Sequence, residues 1–407
     1  METDTSQHGS NLENSRANSP ALFSNAERAA LRAGLSIGLI ALVLSLLIVF
    51  NDLRQTNFDP IGFANIGTRF SLRDPEGTTG YDGQFAYFIA RYGANAEPFM
   101  DGPSLRFQRI LYPTVARALA FGSPSWIPWT LIAINVLAHS LGAGLIAYLL
   151  RKDGGLPWIA LAYGLWMGQL LAVRLDLHEP LCMALGLAAT AAYRAERLRL
   201  ATMLLVLATF TKELGLIFAG GLALHAALTG RIRWAVLLAG ASGFGFLIWW
   251  SIMRLWFGTL PTIYPAAKLH WIPLQGMFAE LEESLLEFAM LVVWLGLPAV
   301  IVFALSAMNL LRGLRLRQPP HYSAPLAVAG AGFVVLMPDV SWVDPVAAYR
   351  VAVPLVATGL LFLGLHYRRG ANWMATLWGA PFLLCSSSRP SGRLVYEGAC
   401  AESTASL

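Results

Sequence analysis

The chain has 407 residues, of which 56% are hydrophobic and only 13% charged. Soluble globular domains carry about 25% charged residues, so the composition argues against one. The formal net charge of +5 is scattered in short basic clusters between apolar runs, which argues against nucleic-acid binding and matches the topology signal of a membrane protein.

Residues 1–32 are polar, rich in Ser and Asn, and are expected to form a disordered cytoplasmic N-terminus. They are too polar and too long for a typical cleaved signal peptide, so the first apolar run, 33–50, reads as a retained anchor. Further runs follow at 126–150, 156–173, 180–195, 199–211, 214–229, 234–256, 285–311, 323–338, 346–366 and 371–385. The longer ones can cross roughly 30 Å of hydrocarbon as helices, a medium that admits only helices or closed barrels. They do not alternate, so helices are selected. The expected fold class is all-α: a polytopic transmembrane helix bundle of about 10–11 spans over 33–385. Three runs, 180–195, 199–211 and 371–385, are short for a full crossing, which pairing in a bundle or local bilayer thinning accommodates. Residues 386–407 read as an irregular tail.

Alternate connections carry Arg151 and Lys152, Arg194, Arg197 and Arg199, Arg231 and Arg233, Arg312, Arg315 and Arg317, then Arg368 and Arg369. The intervening connections are acid-rich. The positive-inside rule therefore puts the N-terminus in the cytoplasm and the acidic loops outside. The longest outer loop, 51–125, is of a length that is uncommon without a function. It carries two amphipathic stretches that read as helices in the interface plane: Tyr81–Tyr92, with Asp82 as N-cap, and Ser104–Phe121, which Pro113 should break or kink.

Asp82 stands between Gly80 and Gly83, which allow close approach of a ligand, and its carboxylate could accept a proton from a sugar hydroxyl. A plain helix cap on a surface helix accounts for the same residues. Arg106 and Arg109, three apart, share a helical face and form a candidate phosphate clamp; snorkelling to lipid phosphates is the alternative. In Arg174-Leu-Asp176-Leu-His178-Glu179 four ionisable groups crowd a short turn. They read either as an Arg174–Asp176 salt bridge or as a divalent-cation site of His178, Asp176 and Glu179. Lys212-Glu213 offers a phosphate donor and an acid. Arg350 lies beside a span after Trp342 and Asp344. The loop 257–284, with Tyr264, Lys268, His270 and Trp271, suggests no role. Gly240–Gly245 and Gly330–Gly332 lie in apolar runs and read as close-packing positions, not nucleotide loops. Cys182, Cys385 and Cys400 have neither disulfide nor metal spacing.

An N-terminal span, a long outer loop with an aspartate near its helix, and many further spans resemble the GT-C superfamily of membrane glycosyltransferases. Tyr81-Asp82-Gly83-Gln84-Phe85 and Phe107-Gln108-Arg109-Ile110-Leu111-Tyr112-Pro113 look like strings in bacterial members that build cell-surface glycopolymers. Thr211-Lys212-Glu213 sits where such proteins often carry a basic–acidic pair. The resemblance implies a multi-pass protein of the bacterial inner (plasma) membrane with Asp82 as general base. It implies transfer of a sugar from a polyprenyl-phosphate donor to a glycan or lipid acceptor on the outer face, inverting the anomeric centre. The substrate-binding set becomes Tyr81, Gln84, Arg106, Gln108, Arg109, Tyr112, Arg174, Glu179, Lys212, Glu213 and Arg350. Membrane lipids are expected partners and nucleic acid is not; a divalent cation is allowed but not required. The other readings are a lipid-linked-sugar flippase and a non-catalytic envelope assembly protein.

Overall fold

The computed structural model describes residues 24–261, 271–342 and 344–382. Most of the polar N-terminus, Tyr264, Lys268, His270, Cys385 and the tail 386–407 with Cys400 lie outside them. Among the described residues every regular element is helical. Helix α1 spans Asn25–Gln55 and begins well before the expected position 33. The cause is local: Ser24 Oγ accepts from the Glu27 N–H while Glu27 reaches back to the Ser24 N–H, a reciprocal cap that a polar segment can build ahead of its apolar run.

The segment after α1 holds α2 (Thr68–Ser71), α3 (Gly83–Tyr92), α4 (Pro103–Phe107) and α5 (Leu111–Leu119), followed by α6 (Ile127–Lys152) and α7 (Met167–Arg174). Helix α6 packs along α1, and a Cβ on Gly34 would lie only 2.9 Å from the Gly144 carbonyl. The chain continues through α8 (Glu179–Arg194), α9 (Leu198–Thr211), α10 (Gly215–Leu228), α11 (Ile232–Phe257) and α12 (Leu285–Arg315). It ends with α13 (Ser323–Val335), α14 (Pro345–Val351), α15 (Val353–His366) and α16 (Arg368–Gly379). Within α12 the turn Val292–Gly296 is a π-helix, and Trp378 Nε1 donates to its Trp294 carbonyl at 3.1 Å.

Four helices (α1, α6, α11 and α12) are long and apolar enough to cross a membrane, and a fifth arises if α14 and α15, bent by 43°, count as one span. Helices α9, α10 and α13 are apolar but shorter. Leu35 and Leu39 on α1, Phe244 and Leu247 on α11 and Leu297 on α12 are exposed. Apolar faces of this extent are rarely left bare by a water-soluble monomer. Helix α15 is the opposite: every residue from Val353 to Gly364 is buried.

Three local expectations are corrected. The run 156–173 is not one helix: short turns at Pro157–Ala160 and Leu161–Gly164 give way to extended Trp166 before α7. Trp166 Nε1 donates to the Tyr349 carbonyl at 3.0 Å, so docking of α14 accompanies the break. Pro113 neither breaks nor kinks a helix, because the chain already breaks at Gln108–Ile110 and Pro113 falls in the first turn of α5, where no backbone N–H is needed. The close-packing reading holds at Gly330, whose Cβ would lie 2.9 Å from the Pro354 carbonyl, but not at Gly240 or Gly243, which face open space.

Helix α3 packs into the protein: all residues from Gly83 to Ala90 are buried. Its start is fixed by Gly83, where a Cβ would collide with the Leu175 carbonyl and lie 3.3 Å from that of Ala64. Gly83→Ala is therefore expected to destabilise the fold by about 1–3 kcal/mol, the usual cost of overpacking. Thermal unfolding of the purified variant checks this, and an unchanged midpoint contradicts it.

Candidate functional site

Asp82 occupies the N-cap position of α3, but its side chain makes no cap hydrogen bond. Two arginines from distant segments hold it instead. Arg106 Nη1 donates to Oδ1 at 2.8 Å and Arg350 Nη2 to Oδ2 at 2.5 Å. Arg106 also binds Asp101, and its guanidinium lies 4.1 Å from the Phe85 ring centroid. Arg350 reaches Glu179 at 3.1 Å through Nη1, and Lys212 Nζ meets the same Glu179 oxygen at 2.5 Å. The result is one alternating chain, Asp101–Arg106–Asp82–Arg350–Glu179–Lys212.

The elements explain why these groups meet. The bend between α14 and α15 puts Arg350 at the end of a short buried helix. Glu179 is the first residue of α8, where a carboxylate suits the helix dipole and Pro180 needs no N–H partner. Lys212 caps α9 in extended conformation. Burial alone would raise the Asp82 carboxyl, yet the guanidiniums of Arg106, Arg350 and Arg109 outweigh it and hold the group well below the usual carboxylate range. An acid so depressed is a weak proton acceptor while both arginines remain on it.

Arg109 does not join Arg106 in a clamp. The helix carrying Arg106 ends at Phe107, and Arg109 turns to Glu213, with Nη2 to Oε1 at 2.7 Å and Nε to Oε2 at 3.1 Å. Gln108 bridges the same carboxylate at 3.1 Å and accepts from Trp250 Nε1 at 2.8 Å. Burial opposes ionisation of Glu213, but Arg109 and Lys212 bring its pKa down to about 2.

The remaining expected residues divide. Tyr81 stacks beneath Arg350 and donates to Asp344 Oδ2 at 2.9 Å, bracing the segment that carries Asp82. Gln84 is a structural hub: its Oε1 accepts from the Gly67 N–H and its Nε2 donates to the Thr79 carbonyl, closing the loop 67–80. Tyr112 is wholly buried, donates to the Leu131 carbonyl and accepts from Asn135 Nδ2, which are packing roles. Arg174 pairs with Asp52 of α1, not with Asp176, and stands outside the Asp82 chain. The Asp176 carboxylate, at φ +50°, has no hydrogen-bond partner among the described residues, nor do His178 Nε2, Glu179 Oε2 or Arg350 Nε. Buried orphans beside an ion network are the groups an ordered water or ligand satisfies. No three His, Cys, Asp or Glu side chains among the described residues are arranged to hold a metal ion, so His178, Asp176 and Glu179 do not form the cation site considered from sequence.

A cavity of about 400 Å³ opens over this centre, lined by Arg69, Phe70, Tyr81, Asp82, Phe85 and Arg106 among others. Asp52, Asp101, Asp344 and Arg69 were not among the sequence candidates. The acid-rich loops were noted, but nothing local singles out these members.

Beside the site, Glu280 is raised to about 7 by burial and by the neighbouring carboxylates of Glu287, Glu283 and Asp344. A carboxyl whose folded pKa lies above its unfolded value favours the native state when protonated. Its contribution is complete below about 4.3 and is lost as pH rises through 7. Glu280→Gln is therefore expected to remove part of the fall in melting temperature between about pH 4.3 and 7, and superimposable pH profiles contradict this. No family model, curated protein or solved structure matches this chain.

Proposed function

We propose that the chain is a polytopic membrane glycosyltransferase of GT-C type. In this reading its helices form about ten or eleven crossings of a bacterial inner membrane with the N-terminus cytoplasmic. It moves a sugar from a polyprenyl-phosphate donor to a glycan or lipid acceptor on the outer face. The single observation that carries this reading is the Asp82 carboxylate, lining a cavity and gripped on both oxygens by Arg106 and Arg350.

The chemistry follows from that pairing. Donor phosphate competes with Asp82 for the two guanidiniums. As they turn to the phosphate they offset the charge that develops on the leaving oxygen. The carboxylate they release regains basicity and accepts the acceptor hydroxyl's proton as its oxygen attacks the anomeric carbon. The C–O bond to phosphate breaks from the opposite side, polyprenyl phosphate leaves, and the anomeric centre inverts. The charged groups cluster at helix ends rather than at mid-helix, an arrangement that suits transfer better than flipping.

The test is incubation of purified protein with a panel of polyprenyl-phosphate sugars and candidate acceptors, scoring release of polyprenyl phosphate. Release at an undiminished rate in Asp82→Asn rejects the assignment. Labelling of single cysteines placed at position 82 and in the loop at 194–199 tests the topology, and cytoplasmic accessibility at 82 contradicts it.

A further inference from the structure

Every cation of the Asp82 chain has a carboxylate of its own. Asp101, Asp82 and Glu179 are matched by Arg106, Arg350 and Lys212, and Arg109 is matched by Glu213. Among the described residues these ion pairs balance one for one. Arg69 is the exception among the cavity's cations: it lines the same 400 Å³ space, and among the described residues its side chain makes no salt bridge, hydrogen bond or ring contact.

Its placement is built into the fold. Arg69 lies on α2, at the base of a loop closed by three hydrogen bonds. The Arg69 N–H donates to the Thr78 carbonyl at 3.0 Å, the Thr68 N–H to Thr78 Oγ1 at 3.1 Å, and the Thr78 N–H to Thr68 Oγ1 at 2.9 Å. Gln84 ties both flanks of this loop to α3. At Gly67 a Cβ would collide with the Thr78 carbonyl and the Gly80 backbone, and Gly80 has φ +67°. The loop is thus held in one shape and presents Arg69 to the cavity. Beside it stand Phe70, packed edge-on to Phe85 with centroids 5.3 Å apart, and Met100.

We infer that Arg69 recognises one negative charge on a ligand in the Asp82 cavity, a phosphodiester or a carboxylate, while a ring of that ligand lies against Phe70. A guanidinium offers two parallel donors to either oxyanion, and one such cation matches one negative charge. The inference rests on the proposed function for its ligand. A phosphodiester marks the lipid-linked donor, and a carboxylate marks an acidic sugar of the acceptor.

Equilibrium dialysis of the purified full chain in detergent tests it, with farnesyl-phosphoryl glucose, methyl glucuronide and neutral methyl glucoside as probes. At least one charged probe is expected to bind saturably, Arg69→Gln to weaken it about tenfold, and Arg69→Lys to weaken it less. Selective binding of farnesyl-phosphoryl glucose assigns the donor, selective binding of the glucuronide assigns the acceptor, and binding of both supports a shared anion site. No binding of either charged probe to the wild type, or equal binding to Arg69→Gln, overturns the inference. The Arg69 side chain has no partner among the described residues, so the melting temperature should be unchanged in both variants. Dialysis requires no turnover: binding that depends on Arg69 without any release of polyprenyl phosphate rejects the transferase reading alone. Release with unaltered binding in Arg69→Gln rejects this inference alone.

Discussion

Asp82→Asn is expected to lower the rate of sugar transfer by about 10²–10⁴-fold, the usual contribution of a positioned acid or base, while the protein stays folded. Folding should survive because each arginine keeps a second carboxylate: Arg106 retains Asp101 and Arg350 retains Glu179. Asparagine preserves shape and one acceptor oxygen, so the variant isolates the proton-accepting role. The depressed pKa of Asp82 sharpens the prediction. In the free protein the carboxylate is ionised throughout neutral pH, and its ion pairs contribute stability above its unfolded pKa that is lost only as pH falls through the lower folded value. With donor bound and the guanidiniums drawn away, the pKa rises. The acidic limb of kcat should therefore lie at higher pH than the acidic limb of kcat/KM, which reports the free protein. Coincident limbs contradict the exchange of arginines between Asp82 and phosphate, even if Asp82→Asn is inactive.

Much of the helical framework was legible in the sequence because burial in an apolar medium needs continuous apolar runs. The runs 126–150, 199–211 and 214–229 became α6, α9 and α10 with ends displaced by a residue or two. Breaks were not legible. Trp166 interrupts an apolar run because its indole finds a carbonyl 183 positions away, and the bend before α15 falls inside the run 346–366 that was read as one span. The site shows the same division. Asp82 was selected as a glycine-flanked helix start, Arg106 for the face it shares with Arg109, and Glu179, Lys212 and Arg350 as charges beside apolar runs; the fold brings all five into one chain. The pairings were not foreseeable, since Asp82 and Arg350 lie 268 positions apart and Arg174 takes Asp52 rather than its near neighbour Asp176. Tyr112 and Gln84 were selected on shared strings and have structural hydrogen bonds. Arg69 left no sequence signal, because what distinguishes it is the lack of a side-chain partner among the described residues.

Arg350→Ala should be the most damaging single change to the network. Arg350 alone joins the Asp82 half to the Glu179 half, and its removal takes one buried cation from each carboxylate. Glu179 is fully buried and Arg350 nearly so, and breaking a buried pair from one side costs about 3–5 kcal/mol. Alanine also removes the cation above the Tyr81 ring, loosening the brace from Tyr81 to Asp344. Arg350→Lys keeps the charge but cannot span two carboxylates with a planar fork, so it should recover stability in part and activity less. A double-mutant cycle separates the pairing from general packing. Glu179→Gln in the Arg350→Ala background loses only the pair with Lys212, not both pairs, and should cost less than it does in the wild type. The two substitutions then couple by an amount within about 0.5–3 kcal/mol. Strictly additive effects on unfolding would mean that the two side chains do not share this interaction, and the path from Asp82 to Lys212 would be broken at its middle.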